Sequence, residues 1–516
     1  MNRRSFLQAT ALASFHALAP KVATAAQGAS ETPGHVISIH TDEIKGPLPH
    51  VWEECVGSDR AVVGLREQWL TDLEVVKNAA GFKSVRFHGL FDDEMGVWSG
   101  GKAPNFLYVD MVFDAMLQRG VKPFVELSFM PGALASGKKT AFFYRGNITP
   151  PDPFSQWGEL IRALATHCVE RYGIEEVSTW NFEVWNEPNL AFFWSGTKTE
   201  YFELYRQSAM ALKSVDRRLR VGGPATAQAG WVGDLLEFCS SQNVPIDFVS
   251  SHVYPDDPQK SVFGEETHYA FEEVIPKALA MLKQQIKASK FPDLPLFLTE
   301  WSSQNPAFIT HTIKSCIGLS EMMSYWTFDN VFEELGIPRT FLNRNFGLIG
   351  MRGVPRPSFN TFALLHQLGD RQLVSDDGPI LATRRSDGAV AVLVWNLIPQ
   401  DSKQHTSMGD PLVQSGATFT THGESKQFTL QLQRGHKRGR VNISRVDADH
   451  GDSNQAYQKM GSPAYPTMRQ IAELKSASAL PEPEVAHLDG NGQITISIPP
   501  NGIALLTTQR VGSGEL

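Results

Sequence analysis

The stretch 181-NFEVWNEPNL-190 decides how this chain is read. An apolar run, Phe182 to Trp185, stops at Asn186-Glu187-Pro188-Asn189. Proline fixes its own φ and cannot donate to a sheet ladder, so a strand that meets Pro188 must turn. The turn leaves an amide and a carboxylate at the strand's tip. In a barrel of parallel strands, that position is where an active site is built.

The surrounding chain supplies the barrel. From about residue 50 to 368, short β-rich runs alternate with longer amphipathic ones. The expected strands are 51–56, 84–87, 122–128, 179–184, 220–223, 248–252, 296–299 and 323–327. Apolar residues at helical period lie between them, over 71–80, 154–172, 202–215, 231–241, 268–289, 313–321 and 358–368. Eight strands alternating with helical stretches, with no G-x-G-x-x-G turn, favour a (β/α)8 TIM barrel over a doubly wound sheet. After about residue 370 the pattern becomes alternating. The runs 380-ILATRRSDGAVAVLVWNL-397, 427-QFTLQLQ-433, 440-RVNISRVDA-448, 493-QITISIPP-500 and 503-IALLTTQ-509 predict an antiparallel β-sandwich. The α/β barrel is thus assigned to 35–368 and the sandwich to 370–516, with 35–45 placed to add a strand to the sandwich.

Composition narrows the class. The chain has 516 residues, 42% hydrophobic and 20% charged, with a net charge of −8. That is a soluble globular composition, and its acidic balance argues against nucleic acid as a partner. The opening 1-MNRRSFLQATALASFHALAPKVATAAQ-27 reads as a twin-arginine export signal over 1–25: Arg3-Arg4, a modest apolar stretch, then Ala23-Thr24-Ala25. A periplasmic or secreted enzyme is expected, with no membrane partner after cleavage. The four cysteines, Cys55, Cys168, Cys239 and Cys316, are far apart and form no C-x-x-C pair, so buried free thiols are expected. No zinc-ligand spacing occurs, and neither metal nor other cofactor is expected.

The strand exits carry the chemistry. The fourth strand delivers Asn186 and Glu187, and the seventh, 296-LFLTEW-301, delivers Glu300. Two carboxylates facing each other across a barrel mouth suit glycoside hydrolysis, where one is protonated and donates while the other is ionised and attacks. Arg86, from the second strand, can hold one of them charged; Glu187 is therefore read as the acid/base and Glu300 as the nucleophile. The rival from another class is a non-catalytic carbohydrate-binding barrel, which usually loses one of the two carboxylates.

The stretches 182-FEVWNEPN-189, 299-TEWSS-303, 48-LPHVWEECVGSDRA-61, 83-KSVRFHGLFDDEMGVW-98, 249-VSSHVYPDD-257, 325-YWTFDNVFEELGIP-338, 346-FGLIG-350 and 446-VDADHGDSNQAYQKMGSPAYPT-467 together resemble family 39 of the glycoside hydrolases. That family includes β-xylosidases and α-L-iduronidases. The resemblance implies that Glu187 is the acid/base, Glu300 the nucleophile, Asn186 the residue that binds the sugar 2-hydroxyl and Arg86 the support of the nucleophile. It places His88, His252, Tyr254 and Glu333 at sugar-contacting positions and makes Trp326 an aromatic platform. Glu333 is preferred to Glu334 on register alone. It implies a glycoside or oligosaccharide substrate, with β-D-xylose removed from the non-reducing end, and a homo-oligomeric assembly. Arg339 and Arg344 depart from the xylosidase pattern toward the iduronidase branch, whereas Tyr254 stands where iduronidases carry lysine. An iduronide, a β-glucoside or an arabinose- or galactose-containing side chain is the alternative substrate.

Overall fold

The structure, a computed structural model, describes residues 36–508 except 101–102, 330, 335, 338–340, 342–345, 400–421 and 434–438. The proposed export signal, Arg339 and Arg344 lie outside the described residues. Eight parallel strands close into a barrel: Val56–Arg60, Ser84–His88, Lys122–Leu127, Asn181–Val184, Arg220–Thr226, Phe248–His252, Leu296–Trp301 and Met322–Tyr325. Each pairs with its sequence neighbours, and the last pairs with the first through Tyr325 and Val56.

The barrel interior changes character along its axis. Phe124, Phe248, Phe297 and Met322 join Cys55 in one apolar cluster at the strand starts. Phe248 and Phe297 stack with centroids 4.8 Å apart. Further along the barrel axis stand Arg86, Glu126, Glu183 and Glu300, all buried. Apolar packing therefore closes one end, and the charged groups gather at the other.

Seven of the expected strands fall in place, Phe248–His252 with the expected bounds and six with shifted ends; the first does not. Residues 51–55 form a turn, in which Val51 N donates to Pro49 O and Glu53 N to His50 O. The strand is Val56–Arg60, whose Gly57, Ser58, Asp59 and Arg60 break the apolar pattern because they line a polar barrel mouth. Helix Phe154–Tyr172 has the expected bounds. Helix Pro306–Cys316 starts earlier than expected, where Asn305 caps it by accepting Phe308 N and proline occupies its first turn. Helix Leu107–Gln118 is not foreseen, because Leu107, Tyr108 and Met111 are exposed and blur its apolar period.

Among the described residues, the second domain is one nine-stranded sheet, mostly antiparallel. Val36–Pro47 lies inside it, antiparallel to Arg371–Ser375 and parallel to Lys426–Gln433. The hairpin around Ser386-Asp387-Gly388 joins Ile380–Arg384 to Val390–Trp395, with Gly388 at φ 87°. The sheet folds over: Val441 and Ile443, near one end of the strand order, share a core with Phe428 and Ile496 near the other. Arg445 Nη1 donates across the two layers to Ser497 O at 3.0 Å. The 446–467 motif leaves the sheet. It leads through Asn454–Lys459 to helix Met468–Ser478, and Asn360 of the barrel donates to Gly451 O and Ser478 O, each at 2.8 Å.

Gly57 on the first barrel strand is a packing requirement. A β-carbon there would meet Trp326 at 2.3 Å. Gly57→Ala should overpack this contact, lower stability by about 1–3 kcal/mol in denaturant unfolding, and reduce kcat/KM by displacing the indole.

Candidate active site

Trp185 and Glu187 both have left-handed backbones, with φ of 69° and 43°. For non-glycine residues that conformation is costly, and it clusters at functional sites. Several bonds hold it here. Glu187 N donates to Ala225 O at 2.8 Å. Trp185 Nε1 donates to Phe193 O at 2.9 Å. Asn189 spans to the next strand's exit, donating to Ala227 O at 2.9 Å and accepting Ala227 N at 3.0 Å. These contacts fix the turn that 181-NFEVWNEPNL-190 requires.

Arg86 is the hub. Its Nη1 donates to Glu300 Oε1 at 2.7 Å, its Nε to Glu183 Oε2 at 2.6 Å and its Nη2 to Asn186 Oδ1 at 2.9 Å. Glu126 Oε2 lies 2.9 Å from Nη2. Glu126 and Glu183 escaped the sequence reading because each sits inside a run taken as an apolar strand. The available signal was an arginine facing the barrel interior, which demands buried counter-charges.

The two exit carboxylates meet. Oxygens of Glu187 and Glu300 and a ring nitrogen of His252 all lie within 4.8 Å of one another. His252 Nδ1 is 3.0 Å from Glu187 Oε1 and 3.6 Å from Glu300 Oε2. Tyr254 Oη donates to Glu300 Oε2 at 3.1 Å, so both Glu300 oxygens are bonded. Asn186 Nδ2 and His252 Nε2 are buried without a hydrogen-bond partner among the described residues.

His88 joins the group, with Nδ1 2.8 Å from Glu126 Oε2 and Nε2 3.3 Å from Glu334 Oε1. The tilted Trp326 ring lies 4.7 Å from it, and the Arg86 guanidinium 5.9 Å from the indole. These contacts separate the two adjacent glutamates between which register alone chose. Glu334 faces His88, whereas Glu333 binds Arg66 at 2.7 and 3.1 Å and Arg60 at 3.0 Å, on the other side of the loop. Irregular backbone gives no period from which sequence could choose between them.

The charges are unequal. Burial raises Glu187 well above the ordinary carboxyl value, and the Glu300 charge raises it further. Burial also raises Glu300, but Arg86 and then His88 pull against it. Burial opposes a charged His88, yet Glu126 and Glu334 outweigh it and hold its pKa well above the ordinary imidazole value. Burial, with Arg86 and His88 adding to it, drives His252 well below that value, so it is neutral. The proton of the pair therefore belongs on Glu187.

Three candidate ligands this close could also surround a cation. Arg86 already occupies one Glu300 oxygen with a full positive charge and repels a second cation there. Turnover should survive exhaustive dialysis against a chelator within about twofold; metal-restored loss of activity would contradict this reading.

The family model for glycosyl hydrolases family 39 matches residues 35–494. The chain belongs to glycosyl hydrolase family 39. It is 37% identical to a β-xylosidase of Caldicellulosiruptor saccharolyticus over 91% of this chain and 98% of the relative. It is 35% identical to a β-xylosidase of Geobacillus stearothermophilus over 89% and 93%. The crystal structure of a monomeric β-xylosidase from Caulobacter crescentus superposes with a TM-score of 0.82 at 31% identity, covering 93% of this chain and all (100%) of that one. In this family member, a hydrolase of glycosidic bonds, the hub arginine is open to test. Arg86→Met strands three buried carboxylates and should cost about 3–5 kcal/mol in denaturant unfolding, with turnover lost as well.

Proposed function

We propose that the enzyme is a retaining β-xylosidase that removes single sugars from the non-reducing end of plant-type oligosaccharides. The observation that carries this is the pair of carboxylates within 4.8 Å, of which only Glu300 is bonded to Arg86. Retaining glycosidases hold their carboxyl groups about 5 Å apart, whereas inverting ones leave room for a water between them.

The mechanism is double displacement. Glu300 attacks the anomeric carbon while protonated Glu187 gives its proton to the departing oxygen, so the glycosidic bond breaks as the glycosyl-enzyme ester forms. Glu187, now ionised, takes a proton from water. The water oxygen attacks the anomeric carbon, Glu300 departs, and the sugar leaves with its configuration retained. Arg86 and Tyr254 orient Glu300 through separate oxygens. The unpaired Asn186 amide is suited to the sugar 2-hydroxyl, an interaction that tightens in an oxocarbenium-like transition state. His252 keeps close to the Glu187 proton without adding charge. Glu334 takes the sugar-contacting role that register gave to Glu333, beside His88, with Trp326 as the apolar wall.

A uronide, the second reading, needs a cation for its carboxylate. Arg86 is bonded to Glu126, Glu183 and Glu300. Arg60 is bonded to Asp59, Glu94 and Glu333. Among the described residues, neither has a charge to spare, which favours a neutral sugar. A panel of nitrophenyl glycosides tests this; faster cleavage of an iduronide or glucoside than of the β-xyloside would overturn the sugar assignment. Binding of all sugars without turnover would favour the carbohydrate-binding barrel. Proton NMR of early product should show the β-anomer first, and initial release of the α-anomer would exclude retention.

Glu300→Ala should lose ~10³-fold or more in kcat, equivalent to several kcal/mol of barrier. The profile of kcat/KM against pH should be bell-shaped. Activity falls at low pH as Glu300 takes a proton and at high pH as Glu187 loses one. Both limbs should be displaced above the ordinary carboxyl range. Glu187→Gln should flatten the alkaline limb on a substrate with a good leaving group.

We also propose export by the twin-arginine route, supported by Arg3-Arg4 and Ala23-Thr24-Ala25. Replacing both arginines with lysine should strand activity in the cytoplasm. A homo-oligomer is proposed on the family resemblance; sedimentation as a single chain would refute it.

A further inference from the structure

The geometry points to Glu333 as a positioning residue: clasped by Arg60 and Arg66, it turns the neighbouring Glu334 carboxylate into the active site. This rests on the reading of Glu334 as a sugar-contacting group.

The Glu334 carboxylate is badly placed on its own. It is largely buried, which raises its pKa; His88 pulls against this, while the charges of Asp59 and Glu126 add to it. Its own charge acts on Glu187, Glu300 and Tyr254, so it sits among the reacting groups. Among the described residues, the side chain within hydrogen-bond reach is His88, at 3.3 Å. Repulsion from so many carboxylates favours swinging the residue out toward solvent.

The preceding residue resists that swing from the opposite side. Glu333 Oε1 meets Arg66 Nη1 at 2.7 Å, and Oε2 meets Arg66 Nη2 at 3.1 Å and Arg60 Nη1 at 3.0 Å. A bidentate guanidinium pair fixes direction as well as distance. The backbone is tied too. Glu333 N donates to Asp59 Oδ2 and Phe143 N donates to Glu334 O, at 2.7 and 2.8 Å. Arg60 is itself held by Asp59 and Glu94 and lies 4.3 Å over the Tyr144 ring. With the Glu333 side chain held by two guanidinium groups and both residues tied through their backbones, the Glu334 carboxylate is fixed where it faces His88.

The test is a KM-against-kcat split on an aryl β-xyloside with the full-length enzyme. Glu333→Gln and Arg66→Gln should each raise KM about fivefold or more while kcat stays within about twofold, because they loosen a contact that binds substrate and transition state alike. The double variant should be no worse than the weaker single one. Arg66 is 44% exposed at its side chain, so salt should reach the clasp. Near 1 M salt, where screening acts over about 3 Å, the wild-type KM should climb toward that of Glu333→Gln, whose own KM should stay flat. This salt series needs no variant to fold other than the control. Glu334→Gln separates the two levels of the argument. If it raises KM but the clasp variants and salt do not, the clasp is refuted. If Glu334→Gln leaves KM unchanged, the sugar-contacting role fails instead.

Discussion

A guanidinium with no exposed surface must be neutralised where it stands, and the barrel mouth is organised around that demand. Arg86 contributes one positive charge deep in the barrel, and Glu126, Glu183 and Glu300 converge on it. Burying one charge in low dielectric is expensive; several that satisfy one another are tolerated. The consequence is chemical. Because Glu300 shares that cation and Glu187 does not, two similar carboxyl groups differ in proton affinity without any difference in residue type. Glu126 extends the same economy to His88, which it keeps charged next to the neutral His252.

Much of this was legible in the sequence, and the failures have physical causes. Glu187 and Glu300 stand at strand ends next to chain-turning or aromatic residues, so position and chemistry coincide. Arg86, His88, Asn186, His252, Tyr254 and Trp326 gather around them as expected. Glu126 and Glu183 were hidden because a buried carboxylate in a strand is indistinguishable from a solvent-facing one until its partner is placed. The first strand was misplaced for a related reason: a polar barrel mouth reverses the usual link between burial and apolarity over Val56–Arg60. Glu333 and Glu334 differ only in which way a loop turns, and that is set by Arg60 and Arg66, far away in sequence.

The sheet domain shows the same dependence on distant residues. Alternation located most of its strands, but not that they form one folded sheet or that the 446–467 segment leaves it for the barrel. Lys314 of the barrel reinforces the join, its ammonium 5.7 Å over the Trp395 ring.

The strand Val36–Pro47 sits between Arg371–Ser375 and Lys426–Gln433, although the whole barrel intervenes in sequence. Ile39 pairs with Ser375, and Val36 with Thr429. During synthesis this strand leaves the ribosome first and waits for partners made near the end. Closing so long a loop is entropically slow, so the sheet is the last part of the chain able to assemble. A nascent chain arrested after the barrel would expose an unpaired β-edge, and completion of translation would itself become the step that removes a site for aggregation.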